Sequence, residues 1–257
     1  IKFIGDPEER IKEDYLRILR YVRFFLNYSN LEHDDKVKKV IKQKINGVRK
    51  ISTDRLLDEL KKLLLSDGFI KLPKDPFSLE IINLVFPQLK NIYLLENLDN
   101  YKKEIIKDKD FIFLISLMII DETDNCEYFL YKFNISNKDK ERIRFINSIF
   151  SKSLEKNFFK EKNLWKILYY NNKNILNDLI NFQIFRSKSI DKKLLKLKVF
   201  FNNQSPPKFD IKAKKLMEKF KLKEGKELGQ KLKEIEKAWI NNLFKISDKE
   251  IEKIINN

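Results

Sequence analysis

The sequence has very few residues of the kinds that bind metals or form covalent cross-links. Its 257 residues include one cysteine, Cys126, and one histidine, His33. A disulfide within the chain is therefore excluded, and a Cys/His zinc cluster cannot be assembled. Any Ser-His-Asp triad would have to use His33, which lies in a polar stretch and which we expect to be an exposed loop residue. Cys126 has no basic neighbour in sequence to activate its thiol.

Glycine and proline are also scarce, and long hydrophobic runs are missing. Five glycines and six prolines favour long helices over a strand-rich fold with many turns. The longest apolar run, residues 111–120, is too short to span a bilayer, and we expect it to form a helix buried on most sides. With no visible N-terminal signal, these features predict a cytoplasmic protein with no membrane partner.

Positive charge is in excess. Lysine and arginine total 54 against 38 acidic residues, which gives a net charge of +16. Such a field attracts polyanions, of which nucleic acid is the commonest partner. The alternative explanation of this charge is an AT-biased genome, which favours Lys, Asn and Ile codons. The lysines are spread along the chain and mixed with acidic residues, which is consistent with that explanation.

Apolar periodicity predicts an all-α fold in three regions, 1–70, 71–203 and 204–257. In the first region we expect helices over 7–28, 34–46 and 53–66, with Asp6 and Ser52 as N-caps and with Gly47 and Gly68 as helix ends. Further helices are predicted near 78–86, 100–108, 110–121, 124–132, 137–157, 160–170, 173–201, 211–220, 227–243 and 248–255. The polar, proline-containing segment 202–207 is the clearest boundary.

The first predicted helix has a charged face. At about 100° per residue, Arg10, Asp14 and Arg17 fall within about 60° of one another, flanked by Glu13 and Arg20. A carboxylate that accepts an amino proton beside a guanidinium that donates could select cytosine and adenine over guanine and uracil. The alternative is an ordinary solvated helix, whose acid–base pairs contribute only a few tenths of a kcal/mol.

Residues 4–24 resemble the neck signature of the class II CCA-adding tRNA nucleotidyltransferases, which bacterial poly(A) polymerases of the same superfamily largely share. The nucleotide-selecting motif of that family, Glu-Asp-x-x-Arg, matches Glu13, Asp14 and Arg17. The resemblance implies that Asp14 and Arg17 pair with the base of incoming CTP or ATP. Glu13 is then expected to orient neighbouring arginines, and Arg10 and Arg20 either brace the helix or touch the triphosphate.

Two further segments resemble the same family in the same order. Residues 51–64 are similar to its Glu-Arg-Ile-x-x-Glu-Leu-x-Lys motif, with Asp54 and Leu56 as departures. This similarity implies a neck-bracing role for Arg55, Glu59 and Lys62. Residues 225–229 resemble the tail segment that contacts tRNA, although the preceding Gly-x-Asp-Leu pattern is not matched. The candidate RNA-binding residues of this tail are Lys214, Lys215, Gly225, Lys226 and Gly229, and a solvated charged face is the alternative reading of its lysines.

The family's catalytic head has a Gly-Ser motif and an Asp-x-Asp pair that hold two Mg²⁺ ions. The sequence contains Asp108-Lys109-Asp110, but no Gly-Ser strand precedes it, and we interpret it as a helix boundary. We therefore expect this chain to lack the magnesium-binding carboxylates and to be inactive alone. Its catalytic head would be truncated or separately encoded.

The resemblance as a whole implies an elongated, all-α neck (1–70), body (71–203) and tRNA-binding tail (204–257). The expected function is that of the C-terminal part of a CCA tRNA nucleotidyltransferase, which selects CTP and ATP and holds the tRNA acceptor arm. The complete enzyme would use Mg²⁺ and no nucleic-acid template. Three alternatives remain open at this point, namely a non-catalytic tRNA- or RNA-binding module, part of a poly(A) polymerase, and a helical scaffold that binds no RNA.

Overall fold

The computed structural model describes residues 1–108, 110–153, 158–187 and 191–256. Within these ranges the regular secondary structure is helical and no strand is present, which confirms the predicted all-α class. The α-helices are α1 (Pro7–Glu13), α2 (Arg17–Tyr28), α3 (Asp35–Lys44), α4 (Thr53–Leu64), α5 (Pro76–Val85), α6 (Asn100–Asp108), α7 (Phe111–Ile119), α8 (Asn125–Lys132), α9 (Asn137–Ser153), α10 (Glu161–Tyr170), α11 (Lys173–Arg186), α12 (Lys192–Asn202), α13 (Ala213–Phe220), α14 (Lys226–Asn241) and α15 (Asp248–Asn256). Short 3₁₀ helices cover Ile45–Lys50, Asp67–Lys74 and Ile92–Leu95.

The chain forms two compact units. The first comprises Ile1–Lys156 and Asn181–Ile190, and the second comprises Asn157–Ile180 and Asp191–Asn257. The division into regions 1–70, 71–203 and 204–257 was made on sequence motifs, and it stays a prediction.

The prediction of one continuous helix over 7–28 was wrong. Helix α1 ends at Glu13, and Asp14 adopts an extended conformation with φ −154° and ψ 104°. Its side-chain Oδ1 accepts a hydrogen bond from the Leu16 N–H at 3.1 Å, which competes with the helical ladder. Helix α2 then begins at Arg17. Arg10, Asp14 and Arg17 therefore do not share one continuous helical face.

The predicted helix over 173–201 is likewise two helices, α11 and α12. The Asp191 side chain caps α12 by accepting from the N–H groups of Lys193 and Leu194. Residues 188–190, and the predicted end of the 137–157 helix at 154–157, lie outside the described residues.

The buried helix predicted over the long apolar run is confirmed, because every residue of α7 is buried. In neighbouring α8, burial raises the pKa of the Cys126 thiol to about 12, with a further contribution from Glu127. The thiol is therefore protonated at neutral pH and unreactive. None of the helices in the described ranges combines the length and apolarity that crossing a membrane requires.

Gly47 and Gly68 have a different role from the predicted one of ending helices. Both lie inside 3₁₀ helices, where they allow close packing. A Cβ on Gly47 would lie 2.0 Å from Cε1 of Tyr15, in the turn between α1 and α2. A Cβ on Gly68 would lie 2.6 Å from the backbone carbon of Leu26 in α2.

We expect Gly68→Ala to destabilise the protein by about 1–3 kcal/mol, because the added methyl group meets a helix backbone that cannot rotate away. The matched control is Gly229→Ala in α14, where the added Cβ meets nothing within 4 Å. There alanine should be neutral or stabilising by up to about 1 kcal/mol, because it has the higher helix propensity. Urea unfolding midpoints of both variants test this pair, and equal midpoints would contradict the packing argument.

Candidate nucleotide-selecting site

Asp14 is held in the turn between α1 and α2 by two contacts. Its Oδ1 accepts from the Leu16 N–H, and its Oδ2 lies 2.9 Å from Nη2 of Arg55 on α4. The side chain of Asp14 is 23% exposed. Two elements therefore orient this carboxylate, and each of its oxygens keeps a lone pair for a further donor.

Arg17 begins α2 and is anchored through one of its nitrogens. Its Nη1 lies 2.8 Å from Oε2 of Glu13 and donates to the backbone oxygen of Arg10 at 3.1 Å. Glu13 also accepts from Nη1 of Arg10 at 3.1 and 3.0 Å, so its carboxylate lies between the two arginines. The pKa of Glu13 is lowered, chiefly by the hydrogen bond from Arg10; burial is the next largest effect and opposes it, and the hydrogen bond from Arg17 lowers the pKa further. Glu13 is therefore ionised at neutral pH.

Glu59 on α4 is the most deeply buried charge of this region, at 2% exposed. Its Oε1 accepts from Nε of Arg23 at 2.6 Å, and its Oε2 lies 3.6 Å from Nε of Arg20. Sequence reasoning missed Arg23, although it lies three residues after Arg20 on the same helix. Arg20 and Arg23 of α2 are thereby tied to α4.

Lys62 does not take part in this bracing. Its Nζ lies 2.6 Å from Oδ2 of Asp58, one turn earlier on α4, and both side chains are about half exposed. In the described part of the chain, Arg55 and Glu59 are the predicted bracing residues that reach the α1–α2 region.

A cleft of about 300 Å³ lies beside the arginines of α1 and α2. Its lining combines residues 1–4 of the chain with Arg10, Arg17, Arg20, Tyr21 and Phe24. The ring of Phe3 stacks on that of Tyr21 with a centroid separation of 5.5 Å. Three guanidinium groups beside aromatic rings suit a ligand that is both planar and anionic.

His33 lies in a loop, as predicted, but the prediction that it is exposed was wrong. Its side chain is 7% exposed, and its ring stacks on Phe25 with centroids 3.4 Å apart. Its Nδ1 is 2.9 Å from the hydroxyl of Tyr21, and its Nε2 is 2.9 Å from Oδ2 of Asp75. Burial and the charges of Asp34 and Asp75 raise the pKa of Tyr21 to about 12. The ring of Tyr21, which lines the cleft, is thus linked through His33 to Asp75, the N-cap residue of α5.

Asp75 makes the stability of this network depend on pH. Burial alone would raise the pKa of its carboxyl, but the hydrogen bonds from His33 and the Ser78 N–H outweigh it and lower that pKa. A lowered folded-state pKa stabilises the protein above the unfolded value of about 3.9, and this stabilisation is lost as the pH falls through the folded pKa.

We therefore expect Asp75→Asn, which keeps an N-cap side chain, to lower the urea midpoint at pH 7 and to flatten its fall between about pH 5 and pH 2. Asp58→Asn, in the exposed pair with Lys62, is the control and should follow the unmodified protein closely. If the urea midpoint of Asp75→Asn falls as steeply between these pH values as that of the unmodified protein, the role of the Asp75 carboxylate is contradicted.

The predicted RNA-binding residues lie in the second unit. Lys214 and Lys215 are exposed on α13, Gly225 precedes α14, and Lys226 and Gly229 are exposed on α14. The neighbouring Leu228 and Trp239 of the same resemblance are buried. The glycines and lysines thus lie on an exposed face, and the apolar members of that segment belong to the core.

The Asp108-Lys109-Asp110 segment is used structurally. Asp110 caps α7 by accepting from the Phe113 N–H at 2.9 Å, and its Oδ2 lies 2.6 Å from Nη1 of Arg142. Lys109 lies outside the described residues. Within the described ranges, no three or more His, Cys, Asp and Glu side chains lie together in a way that could hold a metal ion. The residues described here therefore do not fit a magnesium site.

Comparisons with known proteins agree with the sequence motifs. Residues 30–93 match the family described as "Probable RNA and SrmB- binding site of polymerase A". The CCA-adding enzyme of Lactococcus lactis subsp. cremoris is 26% identical over 252 residues, which are 94% of this chain and 58% of that protein. That of Staphylococcus haemolyticus is 30% identical over 144 residues, 56% of this chain and 33% of that protein. The mitochondrial CCA tRNA nucleotidyltransferase 1 of Mus musculus is 41% identical over 69 residues, 26% of this chain and 16% of that protein.

A solved structure has the same fold. The Bacillus stearothermophilus CCA-adding enzyme in complex with CTP superposes with a TM-score of 0.68 at 15% identity, over 100% of this chain and 64% of that one. The chain thus has the fold of that CCA-adding enzyme. Its sequence is similar to that of a CCA-adding enzyme over 94% of the chain, and residues 30–93 match an RNA-binding family of polymerase A. The chain spans less than two thirds of the length of each of these relatives.

Proposed function

We propose that this chain is the part of a CCA tRNA nucleotidyltransferase that selects CTP and ATP and holds the acceptor arm of tRNA. The complete enzyme would add C, C and A to the 3′ end without a nucleic-acid template, using Mg²⁺ held by a catalytic head. The observation that carries this proposal is the anchoring of Asp14 by Arg55 and of Arg17, which lines an arginine-rich cleft, by Glu13.

The anchoring supports base selection in a specific way. Nη1 of Arg17 is taken by Glu13 and Arg10, whereas Nε and Nη2 make no hydrogen bond within the described part of the chain. Three N–H groups in a fixed plane are therefore available to donate to the ring nitrogen and carbonyl of cytosine or to the ring nitrogen of adenine. The carboxylate of Asp14 would accept the amino proton of cytosine or adenine.

Guanine and uracil present a carbonyl oxygen where cytosine and adenine present an amino group. The Asp14 carboxylate would face that oxygen without an intervening proton, which costs an unmade hydrogen bond and adds repulsion. Arg10 and Arg20, which line the same cleft, are the candidates to neutralise the triphosphate. The Asp14–Arg17 pair would thus accept cytosine and adenine and reject guanine and uracil.

The holding of tRNA is supported by the net charge of +16 and by the exposed lysines of α13 and α14. If about four phosphates are neutralised, tRNA affinity should fall by about 100-fold between 50 mM and 200 mM salt. A filter-binding titration of this chain with tRNA at several salt concentrations measures the slope. An affinity that hardly changes with salt would contradict phosphate contact, and no binding at low salt would leave the helical scaffold as the better description.

The assay for the activity itself uses the chain joined to a catalytic head and a tRNA that lacks its terminal CCA. We expect incorporation of C from CTP followed by A from ATP. Incorporation of A alone, in long runs, would favour the poly(A) polymerase alternative. Binding of RNA with no nucleotide incorporated would favour the non-catalytic RNA-binding module, which the match of residues 30–93 to an RNA-binding family also supports.

A further inference from the structure

The second unit contains a cleft of about 560 Å³ with an aromatic lining. The rings in that lining belong to Phe209, Phe220, Trp239 and Phe244. Trp239 lies with its ring centroid 5.3 Å from that of Phe209 and 4.9 Å from that of Phe244. Trp239 itself is buried, whereas the three phenylalanines are partly exposed. The cleft therefore offers aromatic surface to a ligand.

The backbone that places Phe244 in this lining adopts a conformation that disfavours side chains. Leu243 and Phe244 have φ values of +52° and +64°, and the Phe244 N–H donates to the carbonyl of Trp239 at 2.8 Å. Glycine usually occupies such a left-handed position after a helix, because a Cβ there is sterically unfavourable. A bulky ring held in this conformation is the kind of local strain that clusters at binding sites.

The same cleft has a positive rim. Lys208, Lys215 and Lys245 line it, and none of them forms a side-chain ion pair within the described part of the chain. A fourth lysine, Lys219, is paired with Asp248 at 3.0 Å. The free ammonium groups therefore outnumber the one remaining acid of the lining, Asp210. Aromatic rings beside unpaired cations match a base and its phosphates.

From this combination we infer that the cleft binds one unpaired nucleotide of RNA. The base stacks on the partly exposed phenylalanine rings, and the flanking phosphates contact Lys208, Lys215 and Lys245. A base within a duplex has both faces covered by its neighbours and cannot stack on these rings. The inference rests on the proposed function only in taking RNA as the ligand, and it concerns a site other than the nucleotide-selecting one.

The experiment measures tryptophan fluorescence in the full 257-residue chain. The two tryptophans are Trp165 and Trp239, so Trp165→Phe leaves Trp239 as the sole reporter in the cleft. A single-stranded RNA of five nucleotides is titrated against this protein at low salt, and a blunt-ended RNA duplex is titrated in parallel. We expect the single strand to change Trp239 emission and the duplex to change it little.

Matched lysine variants test the rim without disturbing the core. Lys215 on α13 and Lys253 on α15 are both exposed, but only Lys215 is part of the cleft lining. Lys215→Met should weaken binding of the single strand by about fivefold, and Lys253→Met should weaken it by less than twofold. Phe220→Leu, which keeps an apolar side chain and removes the ring, should weaken binding by about tenfold, and its thermal midpoint is measured alongside.

Two results would overturn the inference. One is an equal loss of affinity in the two lysine variants, and the other is an equal change of Trp239 emission with the duplex or with polyglutamate. Each would show that the cleft responds to charge alone. If tRNA binds and Trp239 emission stays constant, this inference fails while the proposed function stands. If neither tRNA nor the single strand binds at low salt, the RNA-holding part of the proposed function fails as well.

Discussion

Arg17→Ala in the complete nucleotidyltransferase is expected to lower kcat/KM for CTP and for ATP by about 5- to 150-fold, the range that one bidentate base contact represents. The tRNA dissociation constant should stay within about twofold, because the proposed role of Arg17 directs its free N–H groups to the base and not to the RNA backbone. Alanine would remove the donors to the ring nitrogen of adenine and to the ring nitrogen and carbonyl of cytosine. Steady-state kinetics with each of the four nucleoside triphosphates measures both the rate and the preference.

Two further variants separate base selection from a structural effect at the start of α2. Glu13→Gln weakens the anchoring of Arg17, whose Nη1 lies 2.8 Å from the carboxylate, but keeps the guanidinium. It should reduce selectivity less than Arg17→Ala does. Arg17→Lys keeps the charge and loses the planar fork, so it should restore little activity. A nucleotide preference that is unchanged in Arg17→Ala would refute the selecting role, and the same holds for Asp14→Ala.

Glu59→Ala is expected to produce the largest loss of stability among single changes in this region, about 3 kcal/mol. Glu59 is 2% exposed, and its removal leaves Arg23, which is 18% exposed, without its carboxylate partner. Removing one member of a buried ion pair costs about 3–5 kcal/mol, because the remaining charge is desolvated and unpaired. We take the lower end, since Arg20 is 43% exposed and water can replace its contact.

Asp58→Ala is the matched control for this prediction. Asp58 lies on the same helix and pairs with Lys62, but both side chains are about half exposed. Its loss should cost about 0.3–0.5 kcal/mol, as is usual for an i,i+4 surface pair. Urea unfolding of both variants measures the difference. Losses of equal size would contradict the claim that Glu59 is the buried link between α2 and α4.

Most helices could be predicted because their signals are local. The helix boundary at Asp110, the apolar run of α7 and the polar, proline-containing segment 202–207 before the last three helices can each be predicted from a few neighbouring residues. The break at Asp14 could not be read this way. The helix start at Asp6 and Pro7 and the apolar spacing of α2 both favour a helix that continues through Asp14. The Asp14 carboxylate instead accepts from the Leu16 N–H and from Arg55, which lies 41 residues away in the sequence.

The contacts of the candidate site also fall into local ones, which the sequence predicts, and distant ones, which it does not. The Glu13–Arg17 pair is an i,i+4 neighbour that spacing predicts. The Asp14–Arg55 pair joins residues 41 apart, and the burial of His33 depends on Phe25 and Asp75 from other elements. Only a folded chain brings these groups together. The aromatic cleft of the second unit was missed for the same reason, since its rings come from positions 209 to 244.

The most direct measurement is a structure of the complete enzyme with CTP bound. We predict the cytosine amino group within about 3 Å of the Asp14 carboxylate, with Nε or Nη2 of Arg17 donating to the ring nitrogen or carbonyl. Arg55 and Glu13 should keep their present contacts to the two selecting side chains. A cytosine ring that touches neither Asp14 nor Arg17 would contradict the account at its centre.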